Sequence, residues 1–171
     1  MTNKFWKFLA KQLARPAIAT AILSRAVGAP CAEVYNLDGT VRMTAWWFLK
    51  ERAWFPYAIR LHRIHTDDSS QGYHSHLCDY RTVVLRGWYL EKIMGGGFVL
   101  LADGNTIRHC AKEEHYISRV GTPGAWTMFF YKPVRAVSLG FLTTDRRSEL
   151  FKRQWSDYLA TRGSQHGVDN G

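Results

Sequence analysis

Two histidines one residue apart, His74 and His76, stand in the stretch Gln71-Gly72-Tyr73-His74-Ser75-His76-Leu77-Cys78-Asp79-Tyr80. On an extended backbone side chains alternate with period 2, so this spacing predicts both imidazoles on one face. Side by side they can ligate one divalent ion, at nitrogen–metal distances of about 2.0–2.1 Å. A third ligand has to arrive from elsewhere in the fold, and His115 is the best-placed candidate. The competing reading makes His74 and His76 partly exposed loop histidines, so their setting has to decide. His62 and His65, three apart on a strand, face opposite sides, and at most one joins a common pocket. His109, three residues before Lys112, reads as structural. Cys78 is a soft ligand or a reactive thiol in one reading, and in the preferred one a buried bystander. Arg63, Arg81 and Arg119 are candidates for clamping a carboxylate or phosphate with bidentate hydrogen bonds. The alternative for each is a solvated or structural arginine.

The chain that must position these groups has 171 residues, enough for one domain with a sizeable core. Apolar residues at 46% and aromatic residues at 14% describe a globular protein and exclude a disordered one. Lys and Arg number 23 against 14 acids, a formal charge of +9 that favours anionic partners: nucleic acid, nucleotides, acidic metabolites or a lipid surface. The basic residues are dispersed and form no tail. Cys31, Cys78 and Cys110 lack zinc-finger spacing, and an odd count argues against a disulfide framework, so a reducing cytoplasm is the expected setting.

Residues 2–14 interleave Phe5, Trp6, Phe8, Leu9 and Leu13 with Lys4, Lys7 and Lys11, which predicts a basic amphipathic helix stopped by Pro16. It either packs on the domain or a partner, or lies on a membrane surface. A second helix is expected over Ala17–Val27, far shorter than the roughly 20 apolar residues of a membrane span. Strands follow: Val34–Leu37 and Val41–Leu49 as a hairpin around Asp38-Gly39, then Tyr57–His65. Trp46, Trp47 and Phe48 in succession suggest a strand covered on both faces. Thr82–Ile93 reads as two strands bent at Gly87. Phe98–Ala102 and Thr106–Cys110 read as a second hairpin around Asp103-Gly104-Asn105. His115–Val120, Ala125–Tyr131 and Val134–Phe141 complete the series. Many short strands between Gly and Asp-Gly turns favour an all-β sandwich or barrel. Asp145 is a plausible N-cap for a terminal helix, and Gly163–Gly171, with His166, reads as a frayed tail. The expected division is therefore 1–30 helical, 31–145 β-barrel, 146–162 helix and 163–171 tail.

Gly72, His74, His76, the strand Thr82–Leu85 and Gly87 resemble the first motif of the cupin superfamily, and His115 matches the single histidine of the second. That motif runs Gly, His-x-His, Glu, Gly. Here Gly72 lies only two residues before His74, and the Glu position falls on Tyr80 or Arg81, with Asp79 the nearest carboxylate. No Pro-x-Gly precedes His115. Leu61-His62-Arg63-Ile64-His65-Thr66-Asp67-Asp68 followed by His74-Ser75-His76 and Asp79 is also similar to small uncharacterised cupin-like proteins of phages and their hosts. Ser75, Leu77 and Cys78 stand where those proteins carry Asp, Pro and Trp. The resemblance covers about Trp54 to Phe141.

The resemblance implies an all-β, cupin-type jelly-roll barrel or sandwich flanked by N-terminal helices and a C-terminal helix. It implies a divalent transition metal (Fe, Zn, Mn, Ni or Cu) held by His74, His76 and His115, with Asp79 as a fourth ligand. Arg63, Arg119, Arg81, His62 and Tyr80 are the expected ligand-binding residues. The leading reading is a metal-dependent oxygenase or isomerase acting on a small, anionic molecule. A non-catalytic sensor or sequestering module, phage-encoded and working in the host cytoplasm, is the second. A nucleic-acid-binding protein using the positive charge ranks third, because no groove-reading motif is present. The surplus of apolar helical surface predicts a homodimer.

Overall fold

Alternating apolar positions and tight turns build nine strands among the described residues of a computed structural model, which are 2–36, 38–68, 72–76 and 78–133. The chain opens with α1 (Asn3–Leu13) and α2 (Pro16–Leu23). The Thr2 hydroxyl accepts from the Phe5 N–H as the N-cap of α1. Pro16 does not merely stop α1. It is the first residue of α2, where its missing N–H costs nothing. The second helix ends four residues before the expected Val27.

The strands are β1 (Ala32–Tyr35), β2 (Val41–Leu49), β3 (Ala58–Ile64), β4 (Tyr80–Arg86), β5 (Trp88–Ile93), β6 (Phe98–Ala102), β7 (Thr106–His109), β8 (His115–Val120) and β9 (Ala125–Tyr131). All pair antiparallel, in a six-stranded sheet ordered β1-β2-β3-β9-β4-β7 and a three-stranded sheet ordered β6-β5-β8. The two are stacked as a sandwich, and no ladder among the described residues joins them into a closed barrel. The expected strand Val134–Phe141, the helix 146–162 and the tail 163–171 lie outside the described residues.

Period-2 alternation sorts the six-stranded sheet into two faces. Ile59 and Leu61 of β3, Val83 and Leu85 of β4 and Met128 of β9 pack outward against Ala10 of α1 and Ala19 and Ile22 of α2. Trp6 and Leu13 join that cluster, so this side of α1 packs on the domain, while Phe5 and Phe8 stay exposed. Ile64, Val84 and Ala125 pack inward against Tyr89 and Leu101 of the small sheet. The tryptophans of β2 divide likewise. Trp46 lies 5.6 Å from Trp126 on the helix side, and Trp47 faces inward under Arg60.

Two turns pass the chain from sheet to sheet. At Gly87, between β4 and β5, φ is +83°, and an added Cβ would strike the carbonyl oxygen of Gly124. The turn Asp103-Gly104-Asn105 does not close a hairpin, contrary to the sequence expectation. Its backbone bonds to β4 (Gly104 N–H to Val84 O at 2.9 Å, Val84 N–H to Asn105 O at 2.9 Å), so β6 stays in the small sheet and β7 enters the large one. No helix among the described residues is long and apolar enough to cross a membrane.

Candidate metal centre

Between the inner faces of the two sheets, imidazoles and aromatic rings gather in one cluster beside the apolar inner core. His74, His76 and His115 meet there, each offering a nitrogen within 4.8 Å of the others. His115 is the first residue of β8. The His-x-His segment is not a regular strand, as its spacing had suggested. His74 forms only an isolated bridge to His115, with N–H to O distances of 2.9 and 3.0 Å in the two directions. The Lys112 N–H donates to His76 O at 3.1 Å. These bonds turn both rings to one side, with centroids 4.6 Å (His74–His115), 5.2 Å (His76–His115) and 5.4 Å (His74–His76) apart.

A buried aspartate anchors the loop that delivers this segment. The Asp68 carboxylate pairs with Arg42 and accepts the Ile117 N–H at 2.9 Å. Its backbone holds Ile117 O at 2.7 Å and Gly72 N–H at 2.9 Å, tying the loop after β3 to β8. Burial pushes the Asp68 carboxyl up, against the opposing pull of Arg42.

A second potential ligand group shares His115. Glu91 of β5, 2% exposed, and His109, the last residue of β7, complete it. Glu91 Oε1 lies 3.1 Å from His109 Nε2 and 3.7 Å from His115 Nε2. His109 Nδ1 meets Glu113 Oε2 at 2.7 Å. Burial works to discharge His109, but the two flanking carboxylates outweigh it and hold its affinity for a proton above the ordinary value. His109, expected as a structural residue in a turn, stands instead at the end of β7, within the cluster. Tyr80 joins through its hydroxyl, 3.1 Å from His115 Nε2, and its ring stacks on Phe129 and His109. Burial raises the Tyr80 phenol well above its usual range, so it stays protonated.

Desolvation governs the three histidines. Burial, assisted by His115 and Arg42, depresses His74 to about 3. His76 falls well below its usual value through burial and its imidazole neighbours, and His115 is lowered by burial against the pull of Glu91. Neutral imidazoles keep a ring lone pair for a metal, and crowding that disfavours three imidazolium charges disfavours protons, not donor nitrogens. The donor set thus fits a divalent transition ion.

The remaining expected residues separate by strand parity. His62 faces inward, stacked 4.9 Å from Phe129 and depressed to about 3 by burial and by Arg60. Arg63 points to the opposite face of β3, over Trp126 on the helix side. Arg81 also faces outward, over Trp6 and near Asn3 of α1. Arg119 is exposed. Asp79 lies at the surface, paired with Arg108 at 2.9 Å and accepting the Ala111 N–H at 2.8 Å, apart from the imidazoles. So the structure brings together His74, His76, His115, Tyr80 and His62, and leaves Asp79, Arg63, Arg81 and Arg119 elsewhere. Glu91 was missed, although Tyr89 and Glu91 share a parity and an acid at a core-facing position is a readable signal.

No protein-family model matches the sequence, and no curated protein matches it. Solved structures do. The Cupin_2 domain of an XRE family transcriptional regulator from Enterobacter cloacae aligns at 11% identity over 54% of this chain and 98% of that one, with a TM-score of 0.44. KdgF from Halomonas sp. aligns at 11% identity over 56% of this chain and 84% of its own, with a TM-score of 0.44. A chain from the DMSP lyases RdDddP and RnDddQII aligns at 18% identity and a TM-score of 0.45, over 54% of this chain. This protein spans about half, 48%, of that lyase chain.

Proposed function

We propose that the protein is a metal-binding cupin-type protein that takes a small, anionic molecule at the His74–His76–His115 centre. The observation that carries this reading is the convergence of three uncharged imidazoles, His74 and His76 half-buried on a loop and His115 buried on β8, with donor atoms within 4.8 Å of one another. Glu91 stands beside His115 as the carboxylate that the sequence placed at Asp79. A divalent ion held there would polarise a substrate oxygen, the chemistry that both isomerases and oxygenases need. Around it, the Tyr80 hydroxyl stands 3.1 Å from His115 Nε2, and Glu91 and Glu113 favour a proton on His109. A sensor or sequestering role uses the same centre without turnover, and a phage-encoded module of this kind is the second reading. A homodimer is proposed as well, for which light scattering should return twice the 19.7 kDa chain mass.

Elemental mass spectrometry of the purified chain, beside His74→Ala and His115→Ala, tests the proposal. Roughly stoichiometric metal in the parent, lost in both variants while circular dichroism shows the fold retained, is the expected result. A parent that stays metal-free after anaerobic reconstitution would sink it.

A further inference from the structure

Arg60 was not among the arginines singled out by sequence, yet it alone of those on β3 shares the inward parity of His62. Its guanidinium lies 4.3 Å from the Trp47 ring centroid and 5.3 Å from that of Tyr131. Trp47 pairs with Arg60 across β2–β3, Tyr131 pairs with Ala58 and Tyr80, and Phe129 is opposite Arg60 itself. The guanidinium is therefore one end of a continuous inner wall that runs through Phe129 and His62 to His76, with Phe129 5.9 Å from the His76 ring. Its Nε is buried and has no hydrogen-bond partner, as is true of Arg42 and Arg63 too, and no carboxylate among the described residues pairs with Arg60. Arg42, the other inward-reaching arginine, is already committed to Asp68.

Arg60 is thus a half-buried cation with two rings within 5.3 Å and no carboxylate partner among the described residues. Contact with aromatic rings leaves the N–H donors of a guanidinium available, and those donors are what bidentate recognition of an oxyanion uses. We infer that Arg60, framed by Trp47 and Tyr131, is the seat for the carboxylate or phosphate of a small molecule whose other end reaches the histidine centre across Phe129. The inference rests on the small-anion reading for its ligand, but not on the metal.

Calorimetric titration of the full chain at pH 7.5, with metal removed by a chelator and then dialysed, isolates the anion seat. Succinate and inorganic phosphate are the probes, and whichever binds more tightly identifies the source of the oxyanion. One saturable site is expected, weakened at least tenfold in Arg60→Met and to an intermediate degree in Arg60→Lys, which keeps the charge without the fork. Arg63→Met, altered on the opposite face of the same strand, should bind like the parent. Should Arg60→Met fail to fold by circular dichroism, Arg60→Lys decides alone. Parental affinity in the Arg60 variants, or a parent that binds neither anion, overturns the inference. Metal content is read separately: an anion seat in a protein that takes no metal would sink the metal reading and leave this one standing.

Discussion

The buried imidazoles make the fold acid-sensitive by a calculable amount. His62 and His74 are each held at about 3, against an ordinary histidine value of 6.5. Between those limits the unfolded chain binds a proton that the folded one refuses, so stability rises with pH across the window. At pH 5.5 an unfolded histidine is about 90% protonated, and each group kept neutral withdraws about 1.4 kcal/mol relative to neutral pH. Together His62 and His74 withdraw about 3 kcal/mol. His76 and His115, also lowered, act in the same direction. His109, raised, acts in the opposite one: its contribution is full below 6.5 and is lost as pH rises through its folded value. A domain with a stability of roughly 5–15 kcal/mol feels such a change strongly. With chelator present, the urea midpoint followed by tryptophan fluorescence should drop by about 1–3 M between pH 7.5 and 5.5, given slopes of about 1–3 kcal/mol/M. His62→Phe, which keeps the ring stack on Phe129 and removes the titrating group, should recover about 1.4 kcal/mol of that loss. A midpoint indifferent to pH, or full parental pH dependence in His62→Phe, would refute the account of these histidines as buried and uncharged.

Glu91→Gln preserves shape but removes the carboxylate beside His115, and should weaken metal affinity by about 10–100-fold in a chelator competition. Asp79→Asn, changed at the surface, should leave the same competition curve unmoved. Leu61→Ala empties a position that is 0% exposed between β3 and the helices, and should cost about 2–5 kcal/mol by urea unfolding.

Much of the architecture was legible because strands announce themselves by period and punctuation. His115–Val120 and Ala125–Tyr131 coincide with β8 and β9, and Val41–Leu49 with β2. The partner of a strand is not a local property, however. Asp103-Gly104-Asn105 has hairpin chemistry, yet its backbone groups are taken by Val84, and that decides the sheet. The same distinction divides the site. His74, His76 and His115 were legible as donors, since spacing and residue type suffice. The arginines were chosen by charge, whereas what matters is parity: Arg63 shares the outward face of Leu61, and Arg60 the inward face of His62. Asp79 was favoured for its nearness in sequence, although the acid beside the imidazoles, Glu91, comes from another strand and the other sheet.

The reciprocal bridge between His74 and His115 gives one rung two duties. The amides that cross-link loop to strand belong to the residues whose rings converge. Solvent exchange at either amide requires the rung to open, and opening it withdraws the rings from each other. Anything that draws the rings together therefore also protects these two amides. Occupancy of the centre becomes visible in deuterium uptake at His74 and His115, and local breathing of this single rung limits how readily the loop can let go.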